Sequence, residues 1–441
     1  MSAGEPASEA FARAVYSAAL CLLTPAVLLR YWWRGRAEPM YRHAMSERLG
    51  RYAGRADPGA LWVHAVSLGE TRAAGALIES LRSIRPTLRL LLTHGTATGR
   101  EAGFALLREG DAQAWLPLDT PGAVQRFFAH FRPALGVLME TEIWPNLLHA
   151  AQREGVAMVL ANARLSEKSR RKGERLAILL RPALRGLSLV LAQTAADAQR
   201  LRASGAREVV VAGNLKFDMT PDPALWERGR AWRDALGRSV VLAASTREGE
   251  EAPLLLAWLA LAPPRPLLLI VPRHPQRFDE VATILRASGL GVARRSAWVD
   301  AQPPRDAHAA DVWLGDSIGE MASYYAAAHV ALLGGSFAPL GGQNLIEAAA
   351  CGCPVLMGPH TFNFTDAAEL ALAAGAAVRV AGIAEAVARA VSIGAQADRS
   401  SWSESASAFA ASHRGASGRM ALAIAQLLDA GPEGPRRGSQ N

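Results

Sequence analysis

The stretch PALGVLMETEIWPNLLHAAQREGVAMVLANARLS, residues 133–166, contains the pattern that repeats along most of the chain. Two short apolar runs, 133–139 and 156–161, flank a longer mixed segment, and polar residues follow the first run directly. Continuous apolar runs of this length are typical of buried parallel strands, and a longer amphipathic segment between them is typical of a crossover helix. The stretch therefore predicts a β-α-β unit.

Similar apolar runs occur on both sides of a segment that begins with Pro221-Asp222-Pro223. They lie at 60–66, 88–93, 187–193 and 207–213 before it, and at 239–245, 266–272, 311–316, 329–335 and 353–358 after it. Two doubly wound, Rossmann-like α/β domains are therefore expected, facing a cleft. Such sheets bind ligands beyond the carboxyl ends of their strands, so the loops that follow the runs are the places to look for chemistry.

The length of 441 residues agrees with two or three domains. We expect the following division: an N-terminal tail and membrane anchor at 1–33, a first Rossmann-like domain at 34–216, a second at 217–400 that starts with a linker at about 217–238, C-terminal helices at 401–430, and a disordered tail at 431–441.

The composition excludes several protein classes. Three cysteines cannot form a disulfide framework, which indicates a reducing compartment. The formal charge of +8 favours anionic partners. Nucleic acid is not expected, because no zinc-finger, RRM or helix-turn-helix signature accompanies the charge.

One long apolar stretch, Ala14–Leu29, precedes Tyr31, Trp32, Trp33 and several arginines. It predicts either a single marginal membrane anchor or an interfacial helix. Its basic flank lies downstream, which keeps the body of the protein in the cytoplasm. Two basic clusters, at 30–55 and 164–185, either face anionic lipid or form solvated helix faces.

Three loops of the first domain carry candidate catalytic groups. Ser67 and Glu70 match a capping box, which the local pattern favours, but Glu70 could also serve as a general base. Glu140 and Glu142 follow another strand, where two acids are costly to bury without a task or a basic partner. Lys216 could neutralise a leaving phosphate or pair with Asp218 or another acid.

Other loops are suited to anions. The small hydroxylated loop at 93–99 could bind an anion or a sugar, or could cap a helix. In the second domain, Arg273 follows a strand and could bind phosphate or carboxylate. Glycines at 334–335 and 341–342 could let a phosphate approach the backbone, and Glu347 could bind ribose hydroxyls. No P-loop and no Asp-x-Asp pair are present, so we expect catalysis without a metal or cofactor.

A set of motifs in consistent order then narrows the function. They are HAVSLGE at 64–70, ETEIWPN at 140–146, NARLSEKS at 162–169, GNLKFD at 213–218, PRHPQRF at 272–278, GDSIGEM at 315–321 and GGQNLIEAAACGCPVLMGPHTFNF at 341–364. Together they resemble the 3-deoxy-D-manno-octulosonic acid (Kdo) transferases of lipopolysaccharide synthesis. The resemblance implies a GT-B fold and an inverting, metal-independent transfer of Kdo from CMP-Kdo to the lipid A precursor lipid IV-A, on the cytoplasmic face of the inner membrane.

The resemblance also implies roles for individual residues. Glu70 matches the catalytic base, which reverses the local preference for a cap, while Glu140 and Lys216 match groups that support the transition state. The CMP-contacting segments match Pro272, Arg273, Gly319, Glu320, Met321, Asn344, Leu345, Ile346 and Glu347. The chain departs from many relatives at Gln343, and at His94 and Gly95.

The implied partners are CMP-Kdo, the lipid A precursor and an anionic membrane surface. Two rival hypotheses stay open from the sequence. One is a GT-B transferase or epimerase that uses a UDP-sugar and shares the glycine-rich loop and Glu347. The other is a membrane-tethered binding protein without catalysis, against which the presence of Glu70, Glu140 and Lys216 argues.

Overall fold

The computed structural model describes residues 6–218, 220–395 and 400–431. Two compact units divide the chain. Unit 1 comprises the described residues of 1–218 and 414–441, and unit 2 comprises those of 219–413.

Unit 1 is built on a sheet of seven parallel strands. The strands are Leu61–His64 (β1), Leu90–His94 (β2), Ala112–Trp115 (β3), Leu135–Met139 (β4), Ala157–Ala163 (β5), Leu189–Ala192 (β6) and Val209–Val211 (β7). Their order across the sheet is β3-β2-β1-β4-β5-β6-β7. The direction of winding reverses between β1 and β4, so the loops after these two strands flank the switch point of the sheet.

Helices cover both faces of this sheet. They are Ala7–Arg34 (α1), Leu68–Ile84 (α2), Ala97–Gly103 (α3), Pro121–Phe131 (α4), Pro145–Arg153 (α5), Glu167–Glu174 (α6), Ala177–Arg185 (α7) and Ala195–Ala203 (α8), with 3-10 turns at Pro39–Arg42, Met45–Leu49, Phe104–Leu106 and Leu215–Asp218. One buried cluster joins α4, α5, α7 and α8 to the sheet, and a second joins α2 to the opposite face.

Unit 2 repeats the architecture. Its strands are Val240–Thr246 (β8), Leu267–Pro272 (β9), Val292–Arg294 (β10), Val312–Leu314 (β11), Val330–Leu333 (β12), Val355–Met357 (β13) and Ala377–Arg379 (β14), in the order β10-β11-β9-β8-β12-β13-β14. All neighbours pair in parallel, and the switch point lies between β8 and β12. The prediction of two doubly wound α/β units is therefore confirmed.

The remaining helices follow in chain order. They are Pro223–Leu236 (α9), Glu251–Leu259 (α10), Phe278–Ala287 (α11), Arg305–Ala309 (α12), Met321–Ala327 (α13), Leu345–Ala350 (α14), Thr365–Ala373 (α15), Ile383–Ala395 (α16), Ser400–Ser412 (α17) and Ala416–Ala430 (α18), with 3-10 turns at Pro275–Arg277, Arg295–Ala297 and Val299–Ala301. The last helix, α18, packs on α2 in unit 1.

The observed division can be compared with the expected one. The units separate after Asp218, within the expected linker 217–238, yet most of that linker is the helix α9. Asp222 caps this helix by accepting hydrogen bonds from the backbone N–H groups of Ala224 and Leu225. Of the helices expected at 401–430, α17 belongs to unit 2 and α18 to unit 1. Residues 432–441 of the expected disordered tail lie outside the described residues.

The helix α1 contains the long apolar stretch. It has 28 residues, with Pro25 inside it. Within the described part of the chain it is the one helix long and apolar enough to cross a membrane.

Candidate active site

The first three candidate residues lie at the carboxyl edge of the unit 1 sheet. Glu70 follows β1 and Glu140 follows β4, so they flank the switch point. Lys216 lies in the 3-10 turn Leu215–Asp218, after β7. The fold therefore brings together side chains that are far apart in sequence, at the edge where doubly wound sheets bind ligands.

Ser67 caps α2 as the sequence pattern indicates, but the Glu70 side chain binds the Val66 N–H and the Ser67 hydroxyl instead of the Ser67 N–H of a standard capping box. Ser67 is the N-cap of α2, and its Oγ accepts a hydrogen bond from the Glu70 N–H. The Ser67 hydroxyl donates to Glu70 Oε1 at 2.9 Å, and the Val66 N–H donates to Glu70 Oε2 at 2.9 Å. The carboxylate is thereby fixed in position, but each oxygen keeps a lone pair for another proton donor. Capping and proton abstraction are compatible.

The pKa of Glu70 is raised. Burial is the main cause, and the charge of Glu140 adds to it, whereas the Val66 and Ser67 hydrogen bonds and the charge of Lys216 oppose it. A carboxylate with a raised pKa is a stronger base than an ordinary one and is better matched to proton transfer near neutral pH.

Glu140 is held between two cations. Its Oε1 lies 3.4 Å from Lys216 Nζ and its Oε2 lies 3.3 Å from Arg164 Nε. The residue is buried and has a left-handed φ of +58°, and its N–H donates to the Ala161 carbonyl at 2.9 Å. A non-glycine residue at such a φ is strained, and strain of this kind clusters at functional sites.

Asn162 connects β5 to the turn that carries Lys216. Its Oδ1 accepts the Leu215 N–H at 3.1 Å, and Lys216 N–H donates to Asn214 Oδ1 at 3.0 Å. Asn162 is fully buried with φ +53°, and the register of β5 shifts at this point. Its Nδ2 has no hydrogen-bond partner among residues 6–218, 220–395 and 400–431. An unsatisfied buried amide costs free energy, so this position calls for a functional explanation.

Glu142 is the third carboxylate of the group. Burial and the charges of Glu70 and Glu140 raise its pKa to about 7, against a hydrogen bond from Trp144. That bond runs from Trp144 Nε1 to Glu142 Oε2 at 2.9 Å. Glu142 therefore interacts electrostatically with Glu70 and Glu140, and its titration depends on the charge of Glu70.

Two neighbouring residues have structural roles. Thr96 caps α3 by accepting the Gly99 N–H, and the Gly95 and Thr96 N–H groups donate to the Val66 carbonyl. The loop 94–99 thus supports the segment that binds Glu70. Asp218 accepts the N–H groups of Gly415 and Ser417, where α18 begins, whereas Lys216 forms an ion pair with Glu140.

In unit 2, Pro272 and Arg273 lie where β9 ends beside β8. Pro272 pairs with Thr246, and the Arg273 N–H donates to the Thr246 carbonyl at 3.0 Å. The side chain of Arg273 is exposed. Its neighbour in the motif, Arg277, is buried and forms two hydrogen bonds to Glu251, so Arg277 has a structural role.

The segment Gly319–Met321 follows β11 and begins α13. Gly319 has φ +86° and is exposed. The Oε1 atom of Glu320 lies 2.7 Å from both Arg228 and Arg295 guanidinium nitrogens, so its carboxylate is largely engaged within unit 2. Backbone groups of this segment are therefore better placed than the Glu320 side chain to contact a ligand.

The segment Asn344–Glu347 forms the start of α14. Asn344 caps the helix by accepting the Ile346 N–H at 3.2 Å, while Leu345 and Ile346 are buried. The pKa of the buried Tyr325 is raised mainly by burial, with a further increase from Glu347 and a decrease from Arg273. Both charged residues therefore lie near Tyr325, and the structure brings the segments that carry them together.

The glycines at 334–335 do not offer their amides to a phosphate. The Gly335 N–H lies 2.9 and 2.8 Å from the two carboxylate oxygens of Glu250, and the Phe337 and Arg247 N–H groups also donate to this carboxylate. A Cβ at Gly334 would lie 2.3 Å from the Ser245 carbonyl oxygen, so close packing requires this glycine. The first of the two glycine pairs is structural, which corrects the expectation from the sequence.

No group of three or more His, Cys, Asp and Glu side chains within the described ranges is arranged to hold a metal ion.

The sequence did not predict the roles of three residues that make specific contacts in the structure. Arg164, which contacts Glu140, was assigned to a basic cluster, although it lies within the NARLSEKS motif. Asn162 opens the same motif, and its position directly after an apolar run was a usable signal. Glu250 gave no signal, because its partners become neighbours only in the folded unit.

Comparison with known proteins agrees with this architecture. The family profile described as 3-Deoxy-D-manno-octulosonic-acid transferase (kdotransferase) matches residues 43–219. A UDP-GlcNAc 2-epimerase from Neisseria meningitidis, solved with UDP-GlcNAc, superposes with a TM-score of 0.54 at 15% identity, covering 84% of this chain and 99% of that chain. At this identity the superposition shows the fold alone, which is GT-B.

Two relatives are similar over nearly their whole length. The 3-deoxy-D-manno-octulosonic acid transferase of Bordetella pertussis is 49% identical over 94% of this chain and 99% of its own. The protein of the same name from Haemophilus influenzae is 33% identical over 86% of this chain and 90% of its own. On this similarity and this fold, the chain belongs to the 3-deoxy-D-manno-octulosonic acid transferase family, and it is a glycosyltransferase.

Proposed function

We propose that the protein is an inverting, metal-independent transferase that moves Kdo from CMP-Kdo to the lipid A precursor lipid IV-A at the cytoplasmic face of the inner membrane. Unit 1 binds the acceptor and unit 2 binds the donor nucleotide. The observation that carries the proposal is the half-buried carboxylate of Glu70, which Ser67 and Val66 fix in position, whose pKa is raised, and on which the charges of Glu140 and Lys216 act.

In this reaction Glu70 accepts the proton of an acceptor hydroxyl. The hydroxyl oxygen then forms a bond to the anomeric carbon of Kdo, while the bond from that carbon to the phosphate oxygen of CMP breaks and its electron pair leaves with CMP. Attack from the face opposite the leaving phosphate inverts the anomeric centre. Fixing Glu70 beforehand lowers the entropic cost of proton transfer.

Lys216 supports the same step by electrostatics. Kdo carries a carboxylate, and negative charge grows on the departing phosphate. An ammonium group in a partly shielded site stabilises such charge more effectively than one in water. Glu140, between Lys216 and Arg164, sets the position of both cations.

The donor binds at the carboxyl edge of the unit 2 sheet. Arg273 suits the CMP phosphate because a guanidinium donates two parallel hydrogen bonds. Glu347 suits the ribose hydroxyls as a hydrogen-bond acceptor, and the backbone at Gly319–Met321 and Asn344–Ile346 completes the nucleotide site. Pro272 ends the strand β9 directly before Arg273.

The membrane location has its own support. The helix α1 is long and apolar, and the acceptor is a lipid whose sugar lies at the interface. Arginine-rich segments on unit 1 favour an anionic leaflet.

Two measurements test the proposal. Isothermal titration with CMP and UDP compares the nucleotides, and we expect CMP to bind more tightly; tighter UDP binding would reject Kdo transfer. Incorporation of radiolabelled Kdo from CMP-Kdo into purified lipid A precursor, followed by mass spectrometry, then tests the reaction. Absence of labelled product from folded, CMP-binding protein would reject the assigned acceptor.

A further inference from the structure

The helix α1 is docked along unit 1 at both of its ends. In its first half, the Tyr16 hydroxyl donates to Asp119 Oδ2 at 3.0 Å and Ser17 Oγ lies 3.0 Å from Asn146 Oδ1. In its second half, the Tyr31 ring stacks on Tyr41 with centroids 5.8 Å apart. These contacts fix two points about 22 Å apart along the helix axis, at 1.5 Å per residue.

The second contact is strengthened by a buried arginine. The guanidinium carbon of Arg48 lies 3.8 Å from the centroid of the Tyr31 ring and 4.1 Å from that of Trp115. Arg48 is buried in unit 1, so this cation–π contact is partly desolvated and stronger than an exposed one. A helix that crossed the bilayer in this docked position would take the polar groups of both contacts into hydrocarbon, which is costly.

The opposite face of α1 is apolar and exposed. Phe11, Val15, Leu22 and Leu29 lie four and seven residues apart, which places them on one side of the helix. Their exposed fractions are 71%, 54%, 82% and 64%. Trp32 and Trp33 are also exposed and follow at the end of the helix, where tryptophan suits the level of lipid head groups.

Two adjoining cavities border the first half of α1. One, of about 540 Å³, lies among α1, α5 and α7 and is lined by Arg13, Arg153, Arg185 and Arg207, and also by Glu9, which forms an ion pair with Arg185. The other, of about 500 Å³, is an open apolar groove between α1 and α7 that includes Phe11 and Val15. Ile178 and Leu179 line both. A cationic cavity continuous with an apolar groove matches an anionic head group joined to an acyl chain.

The arginine-lined cavity runs along α5 from Pro145, the first residue of the helix, to Arg153, the last. Arg153 and Arg185 are the last residues of α5 and α7, whereas Glu140 and Glu142 precede the first residue of α5. The nine residues of α5 extend over about 13 Å. A head group bound beside Arg153 therefore lies about one α5 length from the loop that carries Glu140 and Glu142.

We propose that α1 lies flat in the membrane interface, as an in-plane helix docked on unit 1, and that the arginine-lined cavity and the adjoining groove bind one anionic membrane phospholipid. The phosphate lies among the arginines and one acyl chain lies against Phe11, Val15, Ile178 and Leu179. The inference rests on contacts within unit 1 and does not depend on the reaction.

Depth measurements test the orientation of α1. A nitroxide is attached at position 11, 22 or 29 through Phe11→Cys, Leu22→Cys or Leu29→Cys in a Cys21→Ser background; Cys351 and Cys353 are buried. Depth is measured by oxygen and nickel accessibility in phosphatidylethanolamine vesicles with 20–30% phosphatidylglycerol. An in-plane helix places all three labels at one depth, about 5–10 Å below the head groups. A spanning helix would separate positions 11 and 29 by about 27 Å, and this result would overturn the proposal.

Lipid retention tests the cavity. Native mass spectrometry of the full chain, released from nanodiscs of mixed phosphatidylglycerol and phosphatidylcholine, should detect one retained phosphatidylglycerol. Arg153→Gln with Arg207→Gln should lose it, whereas Lys168→Gln with Arg171→Gln, which removes the same charge from α6, should retain it. Equal loss in both pairs, or retention of phosphatidylcholine instead, would overturn the cavity assignment. Thermal unfolding of the full chain reports that each variant is folded, so failure here is distinct from failure of the proposed reaction.

Discussion

The Oε1 atom of Glu140 lies 3.4 Å from the Nζ atom of Lys216, while Oε2 of the same carboxylate lies 3.3 Å from Arg164 Nε. The Lys216 side chain is 21% exposed and that of Arg164 is 50% exposed. Water screens the charge of Lys216 less, so Lys216 acts more strongly than Arg164 on charge that develops in the site. This difference leads to the first prediction.

Lys216→Ala should lower kcat by about 10²- to 10³-fold, because a preorganised charge that stabilises the transition state is lost. The Kd for CMP should change little, since the candidate nucleotide site lies in unit 2. Steady-state kinetics and titration calorimetry measure the two quantities. Lys168→Ala, on the exposed face of α6, removes the same charge and should leave kcat unchanged. An unchanged kcat in the Lys216 variant would remove this lysine from the mechanism.

Glu70→Gln should abolish transfer and leave the free energy of unfolding nearly unchanged. Glutamine still accepts the Val66 N–H and leaves the Ser67 cap of α2 in place, but it cannot take a proton. Loss of a general base typically costs about 10²- to 10⁴-fold in rate. Denaturant unfolding and Kdo incorporation give the two readouts.

Ser67→Ala is the matched control for Glu70. It removes the cap of α2 and should lower the free energy of unfolding by about 1 kcal/mol while most activity is kept. If the Ser67 variant were inactive and the Glu70 variant active, the carboxylate would be a cap alone.

The interior strands were predictable because they are buried on both faces and read as continuous apolar runs. The three strands missing from the sequence analysis, β3, β10 and β14, all lie at sheet edges. Each is short and only partly buried, and they contain Gln113, Arg294 and Arg379. Half-exposed edge strands carry a weaker apolar signal, so tertiary pairing decides their structure.

Local pairs in the site were also predictable, and distant ones were not. Ser67 and Glu70 are three residues apart, so their capping geometry follows from helix chemistry. The contact of Glu250 with Gly335 joins the ends of β8 and β12 and depends on the strand order. The strand order cannot be read from the sequence, so the glycine pair at 334–335 was predicted to let a phosphate approach the backbone. The role of Arg164 was not predictable for the same reason, because its contact with Glu140 joins the end of β5 to the loop after β4.

Asn162 should act by positioning Lys216. In Asn162→Gly the backbone accommodates φ +53° without strain, but the acceptor for the Leu215 N–H is lost. We therefore expect kcat to fall while the KM for CMP-Kdo changes little. Asn162→Ala loses the same bond and adds backbone strain, so it should also lower the free energy of unfolding by about 2–3 kcal/mol. Full kcat in the glycine variant would show that Lys216 needs no such anchor.

Glu250→Ala should destabilise unit 2 and weaken CMP binding. The change leaves the Gly335, Phe337 and Arg247 N–H groups without their acceptor, and each buried orphan costs about 1–3 kcal/mol. Glu248→Ala, at an exposed neighbour, is the control and should have little effect. Calorimetric unfolding and CMP titration check this. Wild-type CMP affinity in a folded Glu250 variant would separate the turn at 334–337 from the nucleotide site.

The pH dependence of kcat/KM should have an acid limb above the usual range of glutamate. Glu70 acts as a base only when ionised, and burial together with the Glu140 charge raises its pKa. Activity is therefore lost as pH falls through this raised pKa and is complete above it. The pKa of Glu142 is raised to about 7, so protonation of Glu142 is an alternative cause of the acid limb.

Glu142→Gln distinguishes the two carboxylates. The amide oxygen still accepts the Trp144 Nε1–H bond, so the loop after β4 keeps its shape, but position 142 no longer titrates. If Glu70 is the base, the variant keeps an acid limb in a profile that extends below the ordinary pKa of glutamate. A profile that becomes flat in Glu142→Gln would assign the limb to Glu142. Because the pKa values of neighbouring carboxylates are coupled, a modest shift of the limb is expected, whereas its disappearance is not.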